Sequence, residues 1–405
     1  MSDKEMYTVI RKKLMQDLDD GREWQDEEIL DRIDELVLAE TRRTRLRVEE
    51  KETMRKELFY SVRKLDILQE LLEDEEVTEI MVNGYQNIFL EKNGRKMRWD
   101  KSFASREKLE DVIQQIVGKC NRVINENSPI VDARLENGAR VNAVVYPVAL
   151  DGPVLTIRRF PDHPITMEWL IEKGSITAEA AEFLKMAVQA GYSILIGGGT
   201  SSGKTTFLNA LSNYIPSEER LVTIEDSAEL QIQGIENLVR LEAKPANMEG
   251  NKEITIRDLI KTALRMAPNR IVVGEIRGAE AIDLLQAWNT GHNGSLGTAH
   301  ANSTRDMISR VETMVLMGMQ LPLEAIRRQI ASGIDLLVHL GRLPDRSRKV
   351  FEICEILGYE EGEVKLQPLY SWNIQKGHLD RKNELYDTEK LQMSGIEVKK
   401  FEDRL

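Results

Sequence analysis

The chain is 405 residues long, more than one hydrophobic core organises, so two or three domains are expected. It carries 41% hydrophobic and 31% charged residues with a formal net charge of −12, the make-up of an ordinary globular protein without the basic footprint of a nucleic-acid binder. No apolar run nears the roughly 18 residues of a membrane span, and residues 1–20 lack the apolar core of a secretory leader, so a cytoplasmic location is expected.

Residues 1–60 read as a charged helical region. Ile29, Leu30, Ile33, Leu36 and Val37 recur at helical spacing, while residues 41–63 are so rich in Arg, Lys and Glu that they read as a solvated helix face. Residues 61–160 change character. A short helix at 65–72, a strand at 79–84, alternation at Ile88 and Leu90, the turn pair Asn93-Gly94, a helical stripe at Leu109, Val112, Ile113, Ile116 and Val117, and β-rich runs at 141–146 and 154–160 predict a small α+β domain. Pro161, His163 and Pro164 mark a linker over 161–175. From 176 to 372 strands and helices alternate, which predicts an α/β, RecA-like P-loop NTPase domain with a mostly parallel sheet. Residues 373–405 read as a charged C-terminal tail, either a peripheral helix or disordered.

Gly198, Gly199, Thr200, Ser201, Ser202, Gly203, Lys204 and Thr205 fit G-x-x-x-x-G-K-[ST] between an apolar strand (194–196) and a helix start. Such a loop turns backbone N–H groups inward onto phosphate oxygens at a helix N-terminus, and Thr206 belongs to the same contact surface. Lys204 would bridge the β- and γ-phosphates of ATP, and the Thr205 hydroxyl would hold Mg²⁺. Hydrolysis also requires an acid to orient water and cations to take developing charge. Two apolar runs end in carboxylates at the strand ends where ligands bind in open α/β sheets. The first leads to Glu225, Asp226 and Glu229, the second to Gly274, Glu275, Arg277 and Glu280. An Asp commonly follows the second run; here Gly274 stands there. His292 and His300 lie in a glycine-rich stretch beyond, and His300 is the better candidate for sensing a γ-phosphate.

Together these motifs resemble the type II/type IV secretion-system ATPases. Within them, the segments 131–135, 138–143 and 156–160 are similar to the CpaF-type branch, which powers Tad/Flp (type IVb) pilus assembly. The resemblance runs from about 65 to 370. It implies a cytoplasmic homohexamer coupled to inner-membrane platform proteins, with ATP between subunits. It also implies Glu225 as general base, Glu275 assisting Mg²⁺ and His300 as the sensing histidine. Arginines of the N-terminal domain would reach the γ-phosphate, foremost Arg140 and Arg158, with Arg134 and Arg159 behind. A type IV secretion or conjugation ATPase is the nearest alternative. A nucleic-acid translocase on the same core is another, which the acidic charge argues against. A non-hydrolysing scaffold would not need the acids and His300.

Overall fold

The computed structural model describes residues 3–19, 22, 24–41, 46–92, 94–135, 137–159, 165–244 and 253–396. The chain divides into two units, residues 1–162 and 163–405. Phe160 and the punctuating residues at 161–164 lie outside the described residues.

The first unit opens with three helices, α1 (Asp3–Leu18), α2 (Asp26–Thr41) and α3 (Val48–Arg63). Met6, Ile10 and Leu14 of α1 meet Ile29, Ile33, Leu36 and Val37 of α2 in one buried cluster, the expected stripe on one face. The charged segment expected to be a solvated face does more than that. Met54 and Leu58 of α3 close the same cluster, with Phe59 and Val62 packed against it, so a helix covered in charge on its other faces is seated by a short apolar stripe. Then follow α4 (Leu68–Glu73), β1 (Val77–Asn83), β2 (Asn87–Lys92), β3 (Arg95–Arg98), α5 (Arg106–Lys119), β4 (Ile130–Arg134), β5 (Arg140–Val144) and β6 (Val154–Arg158). The six strands form an antiparallel sheet in the order β3-β2-β1-β6-β5-β4. Lys92 pairs with Arg95, which leaves the two-residue connection expected there; Gly94 has φ +72°, and Asn93 lies outside the described residues. The α5 stripe is buried against the sheet as its spacing requires.

The second unit comprises α6 (Met167–Glu172), α7 (Ala178–Gln189), β7 (Ile194–Gly198), α8 (Lys204–Ser212), β8 (Leu221–Glu225), β9 (Leu238–Glu242), α9 (Ile256–Ala263), β10 (Arg270–Ile276), α10 (Glu280–Asn289), β11 (Leu296–Ala299), α11 (Thr304–Gly318), α12 (Leu323–Gly333), β12 (Leu336–Arg342), β13 (Arg348–Glu360), β14 (Glu363–Asn373), β15 (His378–Arg381) and α13 (Glu389–Met393). Nine strands run in the order β15-β14-β13-β12-β7-β11-β10-β8-β9. The six from β12 to β9 are parallel and the remaining pairings are antiparallel. Helices cover both faces. Alternate residues of β7 feed opposite cores: Ile194 and Ile196 pack with α7 and α8, and Leu195 packs with α10 and α11. This is the α/β, RecA-like sheet expected from the alternation.

Two boundaries need correction. Residues 167–172 do not link domains: Met167 and Leu170 of α6 are buried in the second unit's core. Residues 378–393 are no tail. β15 extends the sheet, and Leu379 and Leu391 join the same core. A single leucine among polar residues carries no periodicity, so the sequence hid β15, while the helix it offered for this stretch is α13.

Candidate active site

Parallel strands place the C-terminal ends of β7, β8, β10 and β11 along one edge of the sheet. The phosphate loop leaves β7 at this edge, where ligands bind in such folds. Ser201 (φ +59°) and Gly203 (φ +94°) both adopt the left-handed conformation, which turns successive N–H groups to one side and builds an anion-binding nest ahead of α8. Lys204 is only 8% exposed, and its ammonium donates to the carbonyls of Gly198 and Gly199, each at 3.1 Å. Burial holds its pKa below the ordinary lysine value, opposed by Glu275. The Ser202 hydroxyl is buried without a partner. A buried donor with nothing to bond is a polar group awaiting a ligand, and a phosphate suits it.

Around Lys204 the structure gathers an ionic cluster. Glu275 Oε2 takes Arg277 Nη2 at 2.5 Å, and Arg277 Nη1 reaches Asp226 Oδ2 at 3.1 Å. Glu275 Oε1 lies 2.6 Å from His300 Nε2, close enough for an ion pair but without hydrogen-bond geometry. Burial is the main influence on His300 and lowers its pKa, with Glu275 pulling the other way; a neutral imidazole at pH 7 follows. Arg277, a bridge between the acids of two strand ends, had no predicted role. Its signal was its place two residues beyond Glu275.

Glu225 sits apart from this cluster. It is 2% exposed, and Oε2 accepts the backbone N–H groups of Glu229 (2.7 Å) and Leu230 (3.0 Å). Oε1 has no partner. Burial, opposed by those two N–H groups, raises its pKa to about 7. Gly274 explains how the side chain fits, since a Cβ there would meet Glu225 Cγ at 3.0 Å. The missing Asp of the second motif is therefore a cut-out for a glutamate on the neighbouring strand, and only the oddity of a glycine at that place could have hinted at it.

Other candidates divide cleanly. Glu280 accepts the N–H groups of Arg277 and Gly278, so it braces the start of α10. His292 Nδ1 lies 3.2 Å from the carbonyl of Ala287, before β11 begins and hence at the opposite end of that strand from His300. In the first unit, Arg134 pairs across the sheet with Arg140, and Arg140 with Arg158, setting three arginines in a row on adjacent strands. Arg159 instead donates to the carbonyls of Asp74 and Val77, which ties it to its own unit. No cluster of three or more His, Cys, Asp or Glu that could hold a metal occurs among the described residues.

The model of the family described as type II/IV secretion system protein matches residues 62–376. A Mycobacterium tuberculosis relative named for conjugal transfer is 35% identical over 327 residues, spanning 79% of this chain and 92% of the relative. The type IV secretion system protein PtlH of Bordetella pertussis is 33% identical over 302 residues, 69% of this chain and 89% of its own length. Two solved structures share the fold: the pilus retraction motor PilT (TM-score 0.52, 19% identity, 79% of this chain and 83% of that one) and the Legionella pneumophila ATPase DotB (TM-score 0.50, 21% identity, 73% and 81%). A phosphate nest, the ionic cluster at its side and a family match over most of the chain lead to one conclusion: this chain belongs to the type II/IV secretion system protein family and is an ATPase.

Proposed function

We propose that the chain is the motor of a type IV secretion or conjugation machine, a homohexamer at the cytoplasmic face of the inner membrane whose ATP hydrolysis moves domains against membrane-embedded partners. The observation that carries this reading is the buried Lys204 in its nest beside Glu275 and His300, within a chain whose named relatives serve conjugation and type IV secretion. Those relatives favour this machine over the CpaF-type Tad/Flp pilus branch. The pilus reading keeps the support of the segments 131–135, 138–143 and 156–160 and stands second. The net charge of −12 disfavours a DNA translocase, which DNA-stimulated turnover at physiological salt would revive.

Residues 198–206 would bind the phosphates of ATP. Mg²⁺, held by Thr205 with help from Glu275, would supply charge neutralisation on the β- and γ-oxygens. Water attacks the γ-phosphorus, the bond to the ADP oxygen breaks, and Glu225 takes the water's proton. Held through Oε2, with Oε1 bare and a pKa near 7, Glu225 has the poise a general base needs at neutral pH. Lys204 neutralises charge from within the subunit. The row of Arg134, Arg140 and Arg158 on three adjacent strands would serve the same task from a neighbour, because guanidinium groups bind phosphate oxygens through charge-assisted hydrogen bonds. Gene deletion complemented with Lys204→Ala tests the cellular role. Lost conjugation or secretion is expected; lost pili with transfer intact would move the chain to the pilus branch.

A further inference from the structure

In the first unit a groove of about 1610 Å³ is lined by helices α1 and α3 and by the segment 100–104. It exceeds the 300–1,000 Å³ typical of small-molecule sites and suits a stretch of polypeptide. Tyr7, Met15, Leu18, Ile67 and Tyr85 supply apolar wall, and Met15 is 47% exposed. Methionine and tyrosine walls adapt to a helix laid along them.

Carboxylates outnumber cations around this groove, and two of the cations are already engaged. Lys101 bridges Glu57 and Glu70, and Lys108 pairs with Asp66 while donating to the Ser61 carbonyl. These contacts also pin α3 to the α+β part, so the groove is held open by the fold. Asp19, Glu49 and Asp100 remain along its length, all exposed, against Arg11 and Lys12, while Glu50 caps the start of α3 by accepting the Arg47 N–H.

We propose that this groove docks a basic amphipathic segment of a membrane partner's cytoplasmic portion, lying with its apolar face on Met15 and Tyr85 and its lysines or arginines against Glu49, Asp19 and Asp100. Charge complementarity selects the occupant, because the cytoplasmic segments of membrane proteins carry an excess of Lys and Arg. The partner class rests on the motor reading above, whereas the groove's preference for a basic helix does not.

The test is fluorescence anisotropy with the full chain and a labelled 14-residue Leu/Lys peptide of helical amphipathic pattern. Comparators are a scrambled peptide of identical composition and a Leu/Glu analogue. Preferential binding of the amphipathic basic peptide is expected. Glu49→Lys with Asp100→Lys should weaken it about tenfold and Met15→Ala several-fold, while Glu126→Lys, outside the groove, leaves it unchanged. ATP turnover of the groove variants alone stays at the parent's level, which separates failure here from failure of the motor reading. Equal binding of the scrambled peptide, or equal loss in Glu126→Lys, overturns the proposal. So does a fall in oligomer size in the Glu49→Lys/Asp100→Lys variant, which would make a second copy the occupant.

Discussion

The active site depends on a few side chains whose surroundings do opposite things to similar groups. Glu275 and Glu225 end adjacent strands at one edge, yet Glu275 is paired with Arg277 while Glu225 is buried on backbone N–H groups with a pKa near 7. Environment, rather than residue type, separates their roles. Lys204→Ala should abolish nucleotide binding measured with a fluorescent ATP analogue, and turnover with it, because no other cation reaches the nest from within α8. Glu225 links to stability through pH. Its folded pKa is raised above the unfolded value near 4.5, so the native state binds the extra proton between about pH 4.5 and 7, and stability falls as pH rises through that window. Glu225→Gln removes the titration. Its melting temperature relative to the parent should climb from pH 4.5 to pH 8, by the equivalent of roughly 2–3 kcal/mol; a flat difference would mean that Glu225 stays charged in the fold. Gly274→Ala should destabilise by about 1–3 kcal/mol through overpacking against the Glu225 Cγ, and the same change should cost less in a Glu225→Ala background, where that Cγ is gone. The phosphate motif was plain in the sequence because its residues are contiguous. The Glu225–Gly274 fit was not, because it joins two strands 49 residues apart that only the sheet makes neighbours.

At the level of elements, periodic segments were legible and isolated ones were not. The stripe at 109–117 and the apolar run at 194–196 gave α5 and β7 directly. β15 and α13 each offer one buried leucine, and polar ties hold them in place. Glu355 accepts the N–H groups of Tyr386 and Asp387, and Lys390 Nζ lies 2.5 Å from Asp335. The Tyr192 hydroxyl donates to the Asp387 carbonyl. Glu355 is 2% exposed and would lose both of these N–H partners without this segment. Deleting residues 375–405 should therefore lower the melting temperature of the ATPase unit by several degrees, the equivalent of about 2–4 kcal/mol. An unchanged transition would show that the segment is dispensable.

On the scale of the whole molecule, two units of different architecture share one chain, and the family match runs across both of them. The sequence placed Arg140 and Arg158 in the first unit and the phosphate loop in the second, while the sheet register sets the arginines side by side. How an assembled ring would use that row is chemistry between copies, which composition and spacing do not encode. The motor proposed above turns on completion of its ATP site by a neighbouring copy. It is tested most directly by mixing two inactive proteins, Lys204→Ala and the double variant Arg140→Ala/Arg158→Ala, and following phosphate release. Each alone should be silent. In an equal mixture, about a quarter of the head-to-tail interfaces in a ring would join an intact phosphate loop to intact arginines, and turnover should return towards that fraction of the parent rate. Full activity of the arginine variant alone, or no recovery in mixed rings shown to co-assemble, would contradict it.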